Sequence, residues 1–132
     1  MKAAGAPASA VAGSTVLDVI RDEGLQANAD LVGEHLRRRL CRLADRHPLI
    51  GTVHGAGLYL GVELVTDRES RTPATDETEW LCERILAYGI ILQATSERQN
   101  VLKIKPPLTL TLDEADAFVD ALDRVLTELR DR

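Results

Sequence analysis

The feature that most limits the folds open to this chain is a change of hydrophobic period at Pro48. Before it, Leu25, Ala29, Val32, Leu36, Leu40 and Leu43 recur at steps of three and four, the spacing of one buried stripe on a helix. After it, Leu58, Leu60, Val62 and Leu64 alternate with Tyr59, Gly61, Glu63 and Val65, as on a strand that buries one face. One segment cannot satisfy both periods, so the chain must combine helix and sheet.

The remaining elements follow from local signals. Val11, Thr15, Val16, Val19 and Ile20 make residues 8–22 amphipathic, and the pattern predicts a helix that ends near Glu23, with Gly24 as its left-handed cap. A second helix then runs from Leu25 to His47-Pro48. A short strand is expected at residues 50–53, and residues 67–75 read as a polar loop. Thr75 is placed to cap a helix through Trp80, Leu81, Ile85 and Tyr88 that stops at Gly89. Residues 90–94 read as a strand, 95–99 as a polar excursion and 101–105 as a further strand halted by Pro106-Pro107. Thr111-Leu-Asp-Glu114 is a capping box, followed at helical spacing by Ala115, Phe118, Leu122, Val125, Leu126 and Leu129. The expected fold is α+β: a small, mostly antiparallel sheet covered by helices on one face. Its 132 residues suit a single domain spanning 1–132, with 1–7 as a linker or disordered segment.

Composition removes several function classes. Aromatic residues make up 3% and the net charge is −5, so neither base stacking nor attraction to a phosphate backbone has a basis, and no nucleic-acid partner is expected. No apolar run reaches the roughly 20 residues of a membrane span. Gly5, Pro7 and Gly13 interrupt any signal-peptide core, which makes the cytoplasm the expected compartment. Cys41 and Cys82 stand apart among apolar helical positions and read as buried free thiols. His35, His47 and His54 share no ligand spacing, so no metal site is expected. The Arg37-Arg38-Arg39 and Arg42 cluster lies near Glu34 and Asp45 and reads as a solvated helix face.

Few residues carry chemistry. No serine sits in a nucleophile elbow, and Gly55-Ala-Gly57 precedes a strand rather than a helix, which excludes a dinucleotide fingerprint. Asp113, Glu114 and Asp116 lie in a first helical turn, where negative charge complements the helix dipole. Glu63 alternates outward. Lys103 and Lys105, two of only three lysines, leave one face of a strand together while Leu102 and Ile104 enter the core. Two cations on one face suit an anion site; they equally suit a blunted sheet edge.

Several fragments occur together in one order. They are Gly5-Ala-Pro7, Val16-Leu-Asp-Val-Ile20, Asp22-Glu-Gly-Leu25, His47-Pro-Leu-Ile-Gly51, Gly55-Ala-Gly-Leu58, Gly61-Val-Glu-Leu64 and the stretch 101–108. In order and spacing, nearly the whole chain resembles the C-terminal small domain of class III aminotransferases, pyridoxal-phosphate enzymes of fold type I. Residues 100–107 and Arg71-Thr-Pro-Ala-Thr75 look most like the subset with ethanolamine-phosphate and phosphohydroxylysine phospho-lyases. The resemblance implies an amine or phosphoamine substrate, handled by transamination or phospho-lyase chemistry in the full enzyme.

It also implies that Lys103 stands where many relatives carry an arginine that contacts the substrate carboxylate, with Lys105 a second candidate contact. Arginine grips a planar carboxylate with a fork, whereas lysine offers a compact charge suited to a phosphate or to a substrate without that carboxylate. The cofactor lysine and the acid facing the pyridine nitrogen belong to the family's large domain. Pyridoxal 5'-phosphate is therefore expected in the full-length enzyme and not on this chain alone, which should lack catalysis by itself. His54 replaces an arginine usual in relatives, and Ala6 replaces the asparagine of Gly-Asn-Pro. Two other readings compete: a stand-alone small-anion binder, and a dimerising interaction domain. If residues 8–47 present an apolar face that a large domain normally covers, the chain is expected to self-associate as a homo-oligomer.

Overall fold

The computed structural model describes the backbone of residues 8–132 and the side chains of residues 23–132. The leader 1–7, expected to be a linker or disordered, lies outside the described residues. A 39-residue helix α1 (Ala8–Arg46) leads into a hairpin of β1 (Ile50–Ala56) and β2 (Tyr59–Asp67). A two-residue strand β3 (Thr72–Pro73), helix α2 (Thr75–Ile85) and a single 3₁₀ turn (Leu86–Tyr88) follow. Strands β4 (Gln93–Thr95) and β5 (Val101–Ile104) precede the final helix α3 (Leu112–Asp131). The sheet is antiparallel, in the order β1-β2-β5-β4, with β3 on β2.

The α+β architecture matches expectation, and one face of the sheet builds the core. Leu60, Val62 and Leu64 of β2 and Leu102 and Ile104 of β5 point inward against the α1 stripe of Ala29, Val32, Leu36, Leu40 and Leu43. Helix α3 adds Ala115, Val119, Leu122 and Val125, set by its capping box: Glu114 N–H donates to Thr111 Oγ1 while Thr111 N–H donates to Glu114 Oε1. Gly33 fixes how close α1 comes to the hairpin. A Cβ there would lie 2.2 Å from the carbonyl oxygen of Gly57, so helix and turn meet backbone to backbone.

Five sequence expectations need correction. No break occurs at Gly24; the two predicted helices are one, because a glycine costs only about 1 kcal/mol inside a helix and strong formers flank it. Thr75 is the first residue of α2, not its cap. Ala74 takes the cap position, held by its N–H to Leu64 O, and the Thr75 hydroxyl donates to Arg98 O at 2.6 Å. The strand expected at 90–94 is confined to Gln93–Thr95, since Ile90 N–H turns back to Ile85 O after the left-handed Gly89. The polar loop 67–75 contains β3, with Arg71 in the left-handed region (φ 59°). Cys41 is exposed: it lies about 100° around α1 from Leu40, off the buried stripe. Cys82 is half-buried, and burial pushes its thiol pKa up.

The arginine cluster also divides. Arg37 and Arg38 bind Glu34 on the same helix, as a solvated face should, but Arg39 crosses to Asp116 (2.8 Å) and Asp120 of α3. Two similar clips join these helices. His35 and Arg39 share Asp116, and the buried His47 and Arg46 share Asp123, with both His–Asp distances at 2.7 Å. The hydrogen bond from His35, then that from Arg39, holds the Asp116 carboxyl below its ordinary pKa. Burial raises that of Asp123, but the bonds from His47 and Arg46 more than offset it and leave it lowered.

Candidate functional site

Among the described residues the opposite face of the sheet carries no helix-packed row at these positions, and the strand register determines what stands on it. His54 pairs with Gly61, Gly61 with Lys103 and Lys103 with Gln93, so these four form one lateral row. The neighbouring row is Thr52, Glu63, Val101 and Thr95. Since side chains alternate across a strand, both rows face away from Leu60, Val62 and Leu102.

Lys103 is half-buried on this face. Among the described residues it has no carboxylate at ion-pair distance, for the acid of the adjacent row, Glu63, is held by Arg71 at 2.7 Å. Arg71 donates to Thr52 Oγ1 as well, which keeps its guanidinium over β1 and β2 and away from Lys103. Glu63 thus faces outward, as the alternation predicted, and the structure adds its partner Arg71. Lys105 lies one residue beyond β5, exposed, with its ammonium 5.4 Å from the centre of the Tyr59 ring.

The two sequence-predicted site residues therefore come together but differ. Both border a depression of about 240 Å³ with Ile91, Gln93, Pro106 and Phe118. Lys103 alone also enters a second one, of about 430 Å³, with His54, Tyr59, Gly61 and Thr95. Lys105 instead borders a groove of about 650 Å³ between the hairpin and α1, beside Asp30, Tyr59 and Leu108. Three of the residues that border these hollows, Tyr59, Ile91 and Leu108, are exposed apolar side chains.

Sequence reasoning did not foresee Asn100 as an anchor of the site. Its buried side-chain amide donates to Leu64 O at 2.9 Å, and Ser96 Oγ donates to its Oδ1, which pins the start of β5 to β2. A buried asparagine, bonded through both its amide nitrogen and its oxygen, anchors the start of the strand that carries Lys103. Its signal was present, a polar residue at the head of an apolar run, but it reads equally as loop.

The small antiparallel sheet with its covering helices matches the fold of solved transaminases. The family model for aminotransferase class-III matches residues 4–126. The chain is 43% identical over 121 residues to alanine–glyoxylate aminotransferase 2 homolog 2, mitochondrial, of Arabidopsis thaliana, covering 92% of this chain and 25% of that one. It is 39% identical to ethanolamine-phosphate phospho-lyase homolog 1 of Caenorhabditis elegans, over 93% of this chain and 27% of the relative. A phospholyase from Arthrobacter, solved in complex with phosphoethanolamine, superposes with a TM-score of 0.78 at 34% identity, over 85% of this chain and 26% of that one. The chain belongs to the class III aminotransferase family. It spans about a quarter of the length of the relatives it matches.

An amine transaminase from an uncultivated Pseudomonas species, similar in fold at a TM-score of 0.74 and 33% identity, is solved in its PLP-bound, internal aldimine form. The described residues of this chain do not fit that cofactor as a complete site. Lys103 faces open surface beside a glutamate engaged by Arg71, and Lys105 is exposed over Tyr59, so neither stands in an enclosed cavity opposite a free buried acid.

Proposed function

We propose that this chain is the C-terminal small domain of a class III pyridoxal-phosphate enzyme acting on a small amine or phosphoamine, in which it supplies the substrate-facing wall. The observation that carries the reading is Lys103: half-buried, unpaired among the described residues, and set at the floor of an open cationic face. A half-buried ammonium with no carboxylate at ion-pair distance among the described residues is open to an incoming anion. Lysine at this place favours a phosphate-bearing amine, because an ammonium lacks the fork that suits a carboxylate. Lys105, stacked over Tyr59, is the weaker contact. The cofactor and the catalytic lysine belong to the remainder of such an enzyme. The exposed apolar residues around the face fit a surface that another domain or a second copy covers in the cytoplasmic protein.

A chimera tests this reading. This chain replaces the matched quarter of the Arabidopsis relative, and the cofactor-loaded product is assayed for keto-acid formation from alanine and for phosphate release from phosphoethanolamine. Lys103→Met is expected to raise KM for the anionic substrate about tenfold or more while the cofactor absorbance stays unchanged. An unaltered KM in an active chimera would sink the proposal. A stand-alone anion binder is the second reading, supported by the chain's own buried core; it gains if the chimera loads cofactor yet turns nothing over.

A further inference from the structure

We propose that His54 is the second prong of the anion site, so that His54 and Lys103 together grip a phosphate monoester across Gly61. The inference rests on the reading of Lys103 as a substrate contact and adds a residue that decides which anion is taken. Its basis is the lateral row. His54 on β1 and Lys103 on β5 are both register partners of Gly61, one strand spacing to either side of it. With strands about 4.8 Å apart, their Cα atoms lie about 10 Å from one another.

Gly61 is what connects them. A Cβ at this position would fall 2.3 Å from His54 Cε1, 2.9 Å from Nε2 and 3.0 Å from Nδ1. The imidazole is therefore laid over the bare backbone of β2, reaching from β1 towards β5, and any side chain at Gly61 would displace it. His54, Gly61, Thr95 and Lys103 all line the same depression of about 430 Å³. The ring's reach across Gly61 towards β5 shortens the span that an anion standing above the sheet has to bridge between His54 and Lys103.

Charge points the same way. Among the described residues neither His54 nor Lys103 has a carboxylate at ion-pair distance, and the acid of the neighbouring row is already bound by Arg71. A neutral imidazole still donates one N–H, and a protonated one donates two. Two donors that approach from separate strands suit the three peripheral oxygens of a phosphate monoester. A carboxylate, flat and with two oxygens, is better served by a single guanidinium fork.

The experiment is a titration of the 132-residue chain, followed by NMR of the His54 ring and the Lys103 side chain, with inorganic phosphate, phosphoethanolamine and acetate as probes. Both groups are expected to shift together and saturably with the two phosphates, and more weakly with acetate. His54→Gln should weaken phosphate about tenfold and leave acetate unchanged, while His54→Arg, which restores donors at the same place, should keep phosphate. Undiminished phosphate binding in His54→Gln with a loss in Lys103→Met overturns the His54 prong alone. Undiminished binding in Lys103→Met overturns the reading of Lys103 as well. Equal loss in His54→Gln and His54→Arg overturns the proposal by showing a merely steric role, and so does phosphoethanolamine binding without inorganic phosphate, which would assign recognition to the amine.

Discussion

The helical back of the molecule and its bare sheet face use charge in opposite ways. Between α1 and α3, His35, Arg39, Arg46 and His47 each meet an aspartate of the facing helix. On the sheet face, the half-buried Lys103 has no such partner among the described residues, and Glu63, the carboxylate next to it, is turned to Arg71. Cations that hold the two helices together are satisfied within the chain, whereas an unsatisfied one is open to an anion from outside. The contrast lies in what each cation meets: arginine occurs in both regions, and Arg71 beside the sheet face is paired just as the helix arginines are, whereas Lys103 is not.

Three substitutions break or sharpen that contrast. Gly33→Ala should have the largest effect, because it strikes the backbone contact that fixes the sheet to α1. With Gly57 O only 2.2 Å from the added methyl, a loss of about 3 kcal/mol is expected in denaturant unfolding. Stability equal to wild type would mean that helix and hairpin can part without cost.

Next comes Asp123→Ala, which leaves the buried His47 without its partner and should cost about 2 kcal/mol by thermal unfolding. Its pH dependence has a fixed sign. The carboxyl pKa is lowered in the folded chain, so the stability it contributes is present above about pH 4 and is lost as pH falls through the folded value. The variant should accordingly show a shallower acid loss than wild type; parallel acid limbs would remove Asp123 from the account.

The smallest effect belongs to Lys103→Met. Removing an unpaired cation from a half-buried site should change folding stability by less than about 0.5 kcal/mol, in either direction. A loss as large as that of Asp123→Ala would show Lys103 to be structural, and the contrast would collapse.

Much of this was legible in the chain, and what was not has physical reasons. The α1 stripe, the β2 alternation and the Thr111 capping box are local periodicities, and each lies where the pattern put it. The end of a helix at Gly24 was misread because a lone glycine lowers helix propensity without deciding it, and nothing in the neighbourhood of Gly24 demands a turn. Ala74 displaced Thr75 as the cap of α2 through a bond to Leu64, a tertiary contact invisible at short range. For the site, alternation alone put Lys103 on the outer face. The row that joins it to His54 required the pairing register of three strands, which sequence spacing does not specify.

The loop after β2 has a role that its polar composition conceals. Arg68 donates to the carbonyls of Ala44, His47, Pro48 and Ile50, and so supplies from outside the hydrogen bonds that the end of α1 cannot make for itself. The long helix is in effect finished by a residue on the far side of the hairpin. Anyone recombining this chain with a relative has to move both as one cassette, since a crossover between Arg46 and Arg68 would part the last turn of α1 from its own cap.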